Sequence, residues 1–334
     1  MKIKELENFE SVKRMIGELS LLTRSENTKR TYLKGIAKFI QYKGIENLDL
    51  FVEEVKQKQN QNEVVKDFAI YLAGKNLAPK SVAAWVSSLK KFFTANGLKV
   101  DVDIPLRIFN VHEDVLPSKE DLKRILQEVD LRMKVMITML ASSGMRVGEL
   151  HNLKLGDIDF SKEVPSVKIK GVGAKERKSR ITFISLEARK FLEEYLNRRN
   201  SLGENLDENS PVVAREDGKS MSYQNLQYLL EGTFKKYSKK VGKRYMLHAH
   251  CLRKWFKTQL ISAGVPAPIV DRLTGHSRYL AQEYELYTEE QLREWYLKGM
   301  HAVTIFRLIT EFFSILIAWK EDYQTCELFL RQNL

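Results

Sequence analysis

Three short stretches carry the residues best suited to chemistry: SGMRVGEL at 143–150, HAHCLRKWF at 248–256 and LTGHS at 273–277. A tyrosine-rich segment, YLAQEYELYTEEQL, follows from Tyr279. A guanidinium offers paired hydrogen bonds to the oxygens of one phosphoryl group. Two of them, here Arg146 and Arg253, can neutralise the charge that builds up when that group is attacked. His250 and Arg253 lie three residues apart, so on a helix they share a face and can reach one phosphate. A tyrosine hydroxyl can form a covalent link and later leave, which keeps the bond energy without a nucleotide. Plainer readings exist for single residues. Arg146 could be a helix-start arginine paired with Glu149, and His250 a satisfied core histidine. It is the combination that points to phosphoryl transfer.

These residues must be held by a mostly helical frame. Lys134–Ser142 reads as a helix closing near Gly144, which leaves Arg146 at a break where a side chain can project into a groove. Strand-like text follows at Val167–Lys170 and Arg180–Ile184, the second alternating and β-branched. The turn between them, GVGAKERKS, is rich in glycine and lysine. Helices resume at Leu186–Arg199, at Tyr223–Tyr237 and from His250 onward. Thr288–Gln291 is a capping-box pattern, so a helix begins near Glu289, and Tyr287 before the cap can staple onto Leu292. Upstream, Tyr32, Leu33, Ile36, Phe39 and Ile40 recur at helical spacing. Glu63–Leu72 and Pro79–Asn96 repeat that pattern, with Gly44, Gly74 and Gly97 as stops. Val102–Leu116 contains Pro105, has no period and reads as a linker, and Ser118 offers the N-cap of a new helix.

Composition narrows the partner. The 334 residues are 43% hydrophobic, enough for ordinary cores, and the net charge is +12. A surplus of that size on a folded protein points to a polyanion, most often nucleic acid. Half of it, +6, falls within residues 1–112. Two windows hold no acid at all, Phe68–Val100 and Gly232–Val270. One basic window in each half suits a clamp on DNA phosphates. Cys251 and Cys326 form no metal-ligand spacing, so a disulfide scaffold and a zinc site are both disfavoured and a reducing compartment fits. The N-terminus lacks the apolar segment of a secretory signal. Ala302–Trp319 approaches the length of a membrane span, but Arg307 and Glu311 interrupt it, so it reads as an amphipathic packing helix.

In this order and at these separations, the three stretches and the tyrosine segment resemble the catalytic domain of the tyrosine recombinases, the phage and plasmid integrase family. The resemblance spans roughly residues 118–300, and the helical N-terminal part looks like the family's core-binding domain. It implies a site of Arg146, Lys175, His250, Arg253, His276 and Tyr284. His250 would assist proton transfer at the tyrosine hydroxyl, His276 would donate to the phosphate, and Glu149 would orient the Arg146 region or a histidine. In the family the nucleophile lies eight or nine residues past the last histidine, which selects Tyr284 over its rival Tyr287. The general acid is a lysine in the turn between the two strands. Val172 stands where that lysine usually does, so Lys175 is the first choice, with Lys178 and Lys170 behind it.

The resulting expectation is a mainly α protein with a small antiparallel β-sheet and two domains. Residues 1–108 form a helical core-binding domain, 109–117 a linker, 118–300 the catalytic domain and 301–334 a helical tail that contacts its own domain or a neighbouring protomer. The expected function is site-specific DNA recombination through a 3′-phosphotyrosyl intermediate, in the integration and excision of a mobile element. No metal or other cofactor is implied. The expected partners are double-stranded DNA, three further copies in a synaptic tetramer and accessory DNA-bending proteins, with no membrane. The location would be cytoplasmic and DNA-associated, or the host cytoplasm for a virus-encoded chain. A type IB topoisomerase would use the same chemistry. An inactive DNA-binding protein on the same fold is the alternative that Val172 favours, and a metal-dependent nuclease fits poorly because no carboxylates cluster near His250 and Arg253.

Overall fold

The structure is a computed structural model that describes residues 3–23, 25–106, 115–171, 179–238, 240–241, 244–245, 247–276 and 287–306. The chain divides into two compact units, Met1–Glu113 and Asp114–Leu334.

The first unit is helical: α1 (Ile3–Leu6), α2 (Glu10–Leu22), α3 (Glu26–Lys43), α4 (Leu48–Lys58), α5 (Gln61–Ala73) and α6 (Pro79–Ala95). Its core is aromatic. Phe39, Phe68, Phe92 and Phe93 are all fully buried. Phe39 meets Phe68 edge to face at 5.3 Å between ring centroids, the geometry that ring quadrupoles favour. Ser25 caps α3, and Gly44, read from the sequence as a stop, ends it in the left-handed conformation. The sequence reading did not find α2, and its start shows why. Phe9 stands at the N-cap and supplies no side-chain bond. The backbone N–H groups of Glu10 and Ser11 are instead taken by Asp49, 38–39 residues away on α4.

The second unit is mainly α with two small antiparallel sheets. Its elements are α7 (Lys119–Glu128), α8 (Leu131–Ser143), α9 (Val147–His151), β1 (Ile158–Asp159), β2 (Ser166–Ile169), β3 (Arg180–Phe183), α10 (Leu186–Ser201), α11 (Tyr223–Tyr237), β4 (Lys240–Val241), β5 (Arg244–Tyr245), α12 (Ala249–Ser262), α13 (Ala267–Thr274) and α14 (Glu289–Val303). The strand order β1-β2-β3 is antiparallel, with Val167 opposite both Ile158 and Thr182. Ser118 closes a capping box with Asp121 at the start of α7. Thr288 does the same with Gln291 at the start of α14.

At the centre lies α8. Met133, Val135, Met136, Ile137, Met139, Leu140 and Ala141 are all buried. A helix apolar all round is a helix with neighbours all round, and α10, α12 and α14 pack against this one. Its end is equally enclosed. A helix leaves its last carbonyls without partners of its own, and here other elements supply them. Tyr296 on α14 donates to Ser142 O at 2.8 Å. Thr182 on β3 donates to Ser143 O at 2.8 Å. Arg253 on α12 donates to Gly144 O. Gly144 itself has φ +62°, and a Cβ there would come within 2.4 Å of the Phe256 ring.

The end of α14 is tied down by one buried carboxylate. Glu187 on α10 accepts the backbone N–H of Ile305 at 3.0 Å and of Phe306 at 2.9 Å. Burial pushes its carboxyl above the ordinary value, against the pull of these two N–H groups and the Lys119 charge. The apolar tail read from the sequence lies largely beyond residue 306, outside the described residues. Among the described residues, no helix is long and apolar enough to cross a membrane.

The Gly144→Ala substitution would combine left-handed strain with a clash into a packed ring. It is expected to cost about 2–4 kcal/mol of stability, read as a lower urea midpoint at an unchanged slope.

Candidate active site

The closure of α8 leads directly into the first motif. After Gly144 the chain turns, Met145 is buried, and Arg146 stands at the N-cap of α9. Glu149, at the third position of that helix, accepts the Arg146 backbone N–H at 2.7 Å and its Nη1 at 3.1 Å. The helix-start pairing is therefore real, and about a quarter of the Arg146 side chain remains accessible. Glu149 is 8% exposed, so it is no surface acid, and it holds both the backbone and the side chain of Arg146.

Arg180 is the residue that the sequence reading missed. It opens β3 and is 8% exposed. Its guanidinium grips Glu149 in a bidentate pair, Nη1 to Oε1 at 2.9 Å and Nη2 to Oε2 at 2.6 Å. Its Nε donates to Leu273 O at 3.0 Å. One side chain thus joins the start of α9 to the end of α13. The signal lay in the strand's alternation, which sets Arg180 on the same face as the buried Thr182. A charged residue at an inward strand position must have a buried counter-charge. Close behind it, Gly275 adopts φ +67° and a Cβ there would approach Arg180 Cδ to 2.8 Å. This explains the glycine before His276.

Arg253 projects inward from α12 and is 2% exposed. It donates through Nη1 to Gly144 O and through Nη2 to Thr274 O. It thereby bridges the ends of α8 and α13, two residues before Arg146 and two before His276. His250 lies one turn earlier and is exposed. Three residues of helix rotate the side-chain direction by all but about 60° of a full turn, so one residue can face inward and the other the rim. His248, at the N-cap of α12, stacks parallel to His250 at 6.3 Å between centroids.

His276 follows the left-handed Gly275, with its backbone N–H on Asp271 O at 2.9 Å. Burial, then the charges of Lys257 and Arg253, hold its imidazole below the ordinary 6.5; Asp271 pulls the other way and Arg146 adds to the lowering. Lys257, one turn beyond Arg253, ion-pairs with Asp271 at 2.6 Å. The acid-free window around Arg253 is thus closed in space by the carboxylate just past its end.

The tyrosines separate clearly where they are described. Tyr296 is fully buried with its hydroxyl on Ser142 O, and burial holds its pKa far above the ordinary 10. It is a structural hydroxyl. Tyr287 packs half-buried against the core cluster that includes Leu292, at the position before the Thr288 cap. Tyr284 and Tyr279 lie outside the described residues, as do Lys175 and Lys178. Lys170, at the start of the same turn, is paired with Asp157 at 2.6 Å.

The pairing of Glu149 also fixes a pH dependence. Burial alone would raise its carboxyl. The hydrogen bonds and charge of Arg180, then Arg146, overcome burial and hold it below the ordinary 4.5. A lowered folded value means stability that is fully present above 4.5 and lost as pH falls through the lowered value. Glu149→Gln, which leaves Arg180 buried beside a neutral partner, is expected to cost about 3–5 kcal/mol at pH 7. Urea midpoints should show that deficit relative to wild type shrinking as pH is taken below 4.5.

The Phage integrase family matches residues 117–291, just over half of the chain. Tyrosine recombinase XerC of Leptospira interrogans is 28% identical over 310 residues, covering 87% of this chain and 93% of that protein. Tyrosine recombinase XerA of Pyrococcus horikoshii is 27% identical over 294 residues, with the same two shares. In fold, the chain is similar to the XerH site-specific recombinase solved on a palindromic difH substrate, with a TM-score of 0.56 at 18% identity over 80% of this chain and 78% of that one. It is also similar to the Tn1549 transposon integrase solved with transposon right-end DNA, at TM-score 0.53 and 19% identity over 79% and 96%. On the extent of the family match, with the three motifs it encloses, this chain belongs to the Phage integrase family.

Proposed function

We propose that the chain is a site-specific DNA recombinase that cuts and rejoins strands through a 3′-phosphotyrosyl link, in the service of integrating and excising a mobile element. The observation that carries this reading is the bridge made by Arg253 from Gly144 O to Thr274 O. It ties the turn before Arg146 to the turn before His276, and both arginines act on the His276 charge. Membership of the family, relatives bearing recombinase names and similar folds solved on DNA support double-stranded DNA as the partner.

In this mechanism the Tyr284 hydroxyl oxygen attacks phosphorus, a new P–O bond forms, and the bond to the 5′ oxygen breaks. The tyrosine proton leaves with the help of His250, and Lys175 returns a proton to the departing 5′ oxygen. Arg146 and Arg253 neutralise the added charge on the non-bridging oxygens, and His276 donates a hydrogen bond to one of them. In the reverse step a 5′ hydroxyl of another strand attacks the phosphotyrosine, so strands are exchanged with no energy input. The fixed packing role of Tyr287 and the buried hydroxyl of Tyr296 support Tyr284 as nucleophile. Residues 1–108 grip DNA as the core-binding domain, 109–117 link it to the catalytic domain at 118–300, and the tail at 301–334 packs on its own domain or on a neighbour. Four copies assemble on two sites, with DNA-bending proteins as accessories, in the DNA-associated cytoplasm.

The test is covalent trapping on nicked duplexes carrying candidate sites, in EDTA. Wild type and Tyr287→Phe are expected to give an SDS-resistant adduct, and Tyr284→Phe none. Loss of the adduct only in Tyr287→Phe would move the nucleophile. No adduct on any tightly bound DNA would leave the inactive-binder reading.

A further inference from the structure

Lys257 belongs to none of the motifs, yet its ammonium is set between two groups at the site. It lies 2.6 Å from Asp271 Oδ1 and 3.4 Å from Nδ1 of His276. An ammonium has three donors and no acceptor. A ring nitrogen facing it at that distance is favoured as the bare, lone-pair nitrogen, which leaves the ring proton to Nε2. A proton on Nδ1 would set two N–H dipoles head to head, and in the imidazolium it would set charge against charge. The hydrogen bond at one imidazole nitrogen decides what the other can do.

The surrounding cations act in the same direction, against the pull of Asp271. Lys257 and Arg253 face His276 from α12, Arg146 from the turn before α9, and Asp271 from the end of α13. Arg180 on β3 lies under Gly275 with its charge paired to Glu149. Asp271 alone would recruit a ring N–H and favour the opposite tautomer or the cation. Lys257 engages that carboxylate and takes its place beside the ring.

We propose that Lys257 is a positioning residue that fixes His276 as the neutral Nε2–H tautomer, so that its single donor is turned away from Asp271 and toward the scissile phosphate. The proposal rests on the reading of His276 as the phosphate donor. Lysine and arginine both serve the role, because both are donors only; methionine keeps the aliphatic stem and removes the donor.

Nitrogen-15 ring spectra of the full chain, with His276→Gln to assign the signal, read the tautomer and titration of His276 directly. Single-turnover cleavage of a nicked duplex reads the consequence. In wild type the signal should be that of the Nε2–H tautomer near pH 7. In Lys257→Met the titration midpoint should rise, Nδ1–H should appear, and cleavage should fall by about 10–100-fold, the range seen when a partner that orients a metal-binding histidine is lost. Lys257→Arg should restore both. An unchanged tautomer and midpoint in a folded Lys257→Met protein overturns the proposal, whatever happens to cleavage. A wild-type cleavage rate in His276→Ala would instead overturn the role of His276, and with it the purpose assigned to Lys257, while the spectra would still report the tautomer.

Discussion

The end of α8 is the constraint on which the catalytic unit depends. A helix buried on every side must end in the interior, and its last carbonyls have no water to turn to. Three elements far apart in sequence meet that need: α14 through Tyr296, β3 through Thr182 and α12 through Arg253. The negative end of a helix dipole is also a favourable place for a cation. The same requirement that satisfies the carbonyls therefore brings a guanidinium to the turn that carries Arg146. In this fold the support of the site and the closure of its core helix are one arrangement.

Two buried arginines tie the elements around the site together. Arg180 is held by a carboxylate, which fixes the guanidinium and cancels its charge. Arg253 is fixed in orientation by the carbonyls of Gly144 and Thr274. A buried ion pair contributes little net stability over an apolar replacement, yet breaking it is costly. Arg180 and Glu149 thus serve mainly to hold the α9 and α13 ends in one relation. Lys257 and Asp271 repeat the device at smaller scale on the outer side of His276.

Where structure is written in local signals, the sequence was legible. Gly144 at the end of α8, Ser118 and Thr288 at their capping boxes, and the alternation of β3 all act over a few residues, and each is where the text puts it. The family motifs pointed to Arg146, Arg253 and His276, which the fold gathers. What stayed hidden is non-local. The start of α2 is capped by Asp49 from another helix, and Arg180 meets Glu149 across 31 residues. β1, β4 and β5 have two residues each, too few to show a period. Lys257 looked like one more member of a solvated basic run, because its partner Asp271 lies just beyond the window that defined the run.

The carboxylate of Glu187 bears on how the chain responds to tension. The backbone that leaves α14 is fastened at Ile305 and Phe306 to α10, and Lys119 on α7 holds His301 O at 2.8 Å. A pull exerted on the polypeptide past Phe306 would meet this two-point anchorage before reaching the hydrogen bonds of α14. The force would be shared with α7 and α10, and the Tyr296 hydroxyl would keep its seat on α8. Force arriving from beyond Phe306 would thus reach the core only after these contacts had given way.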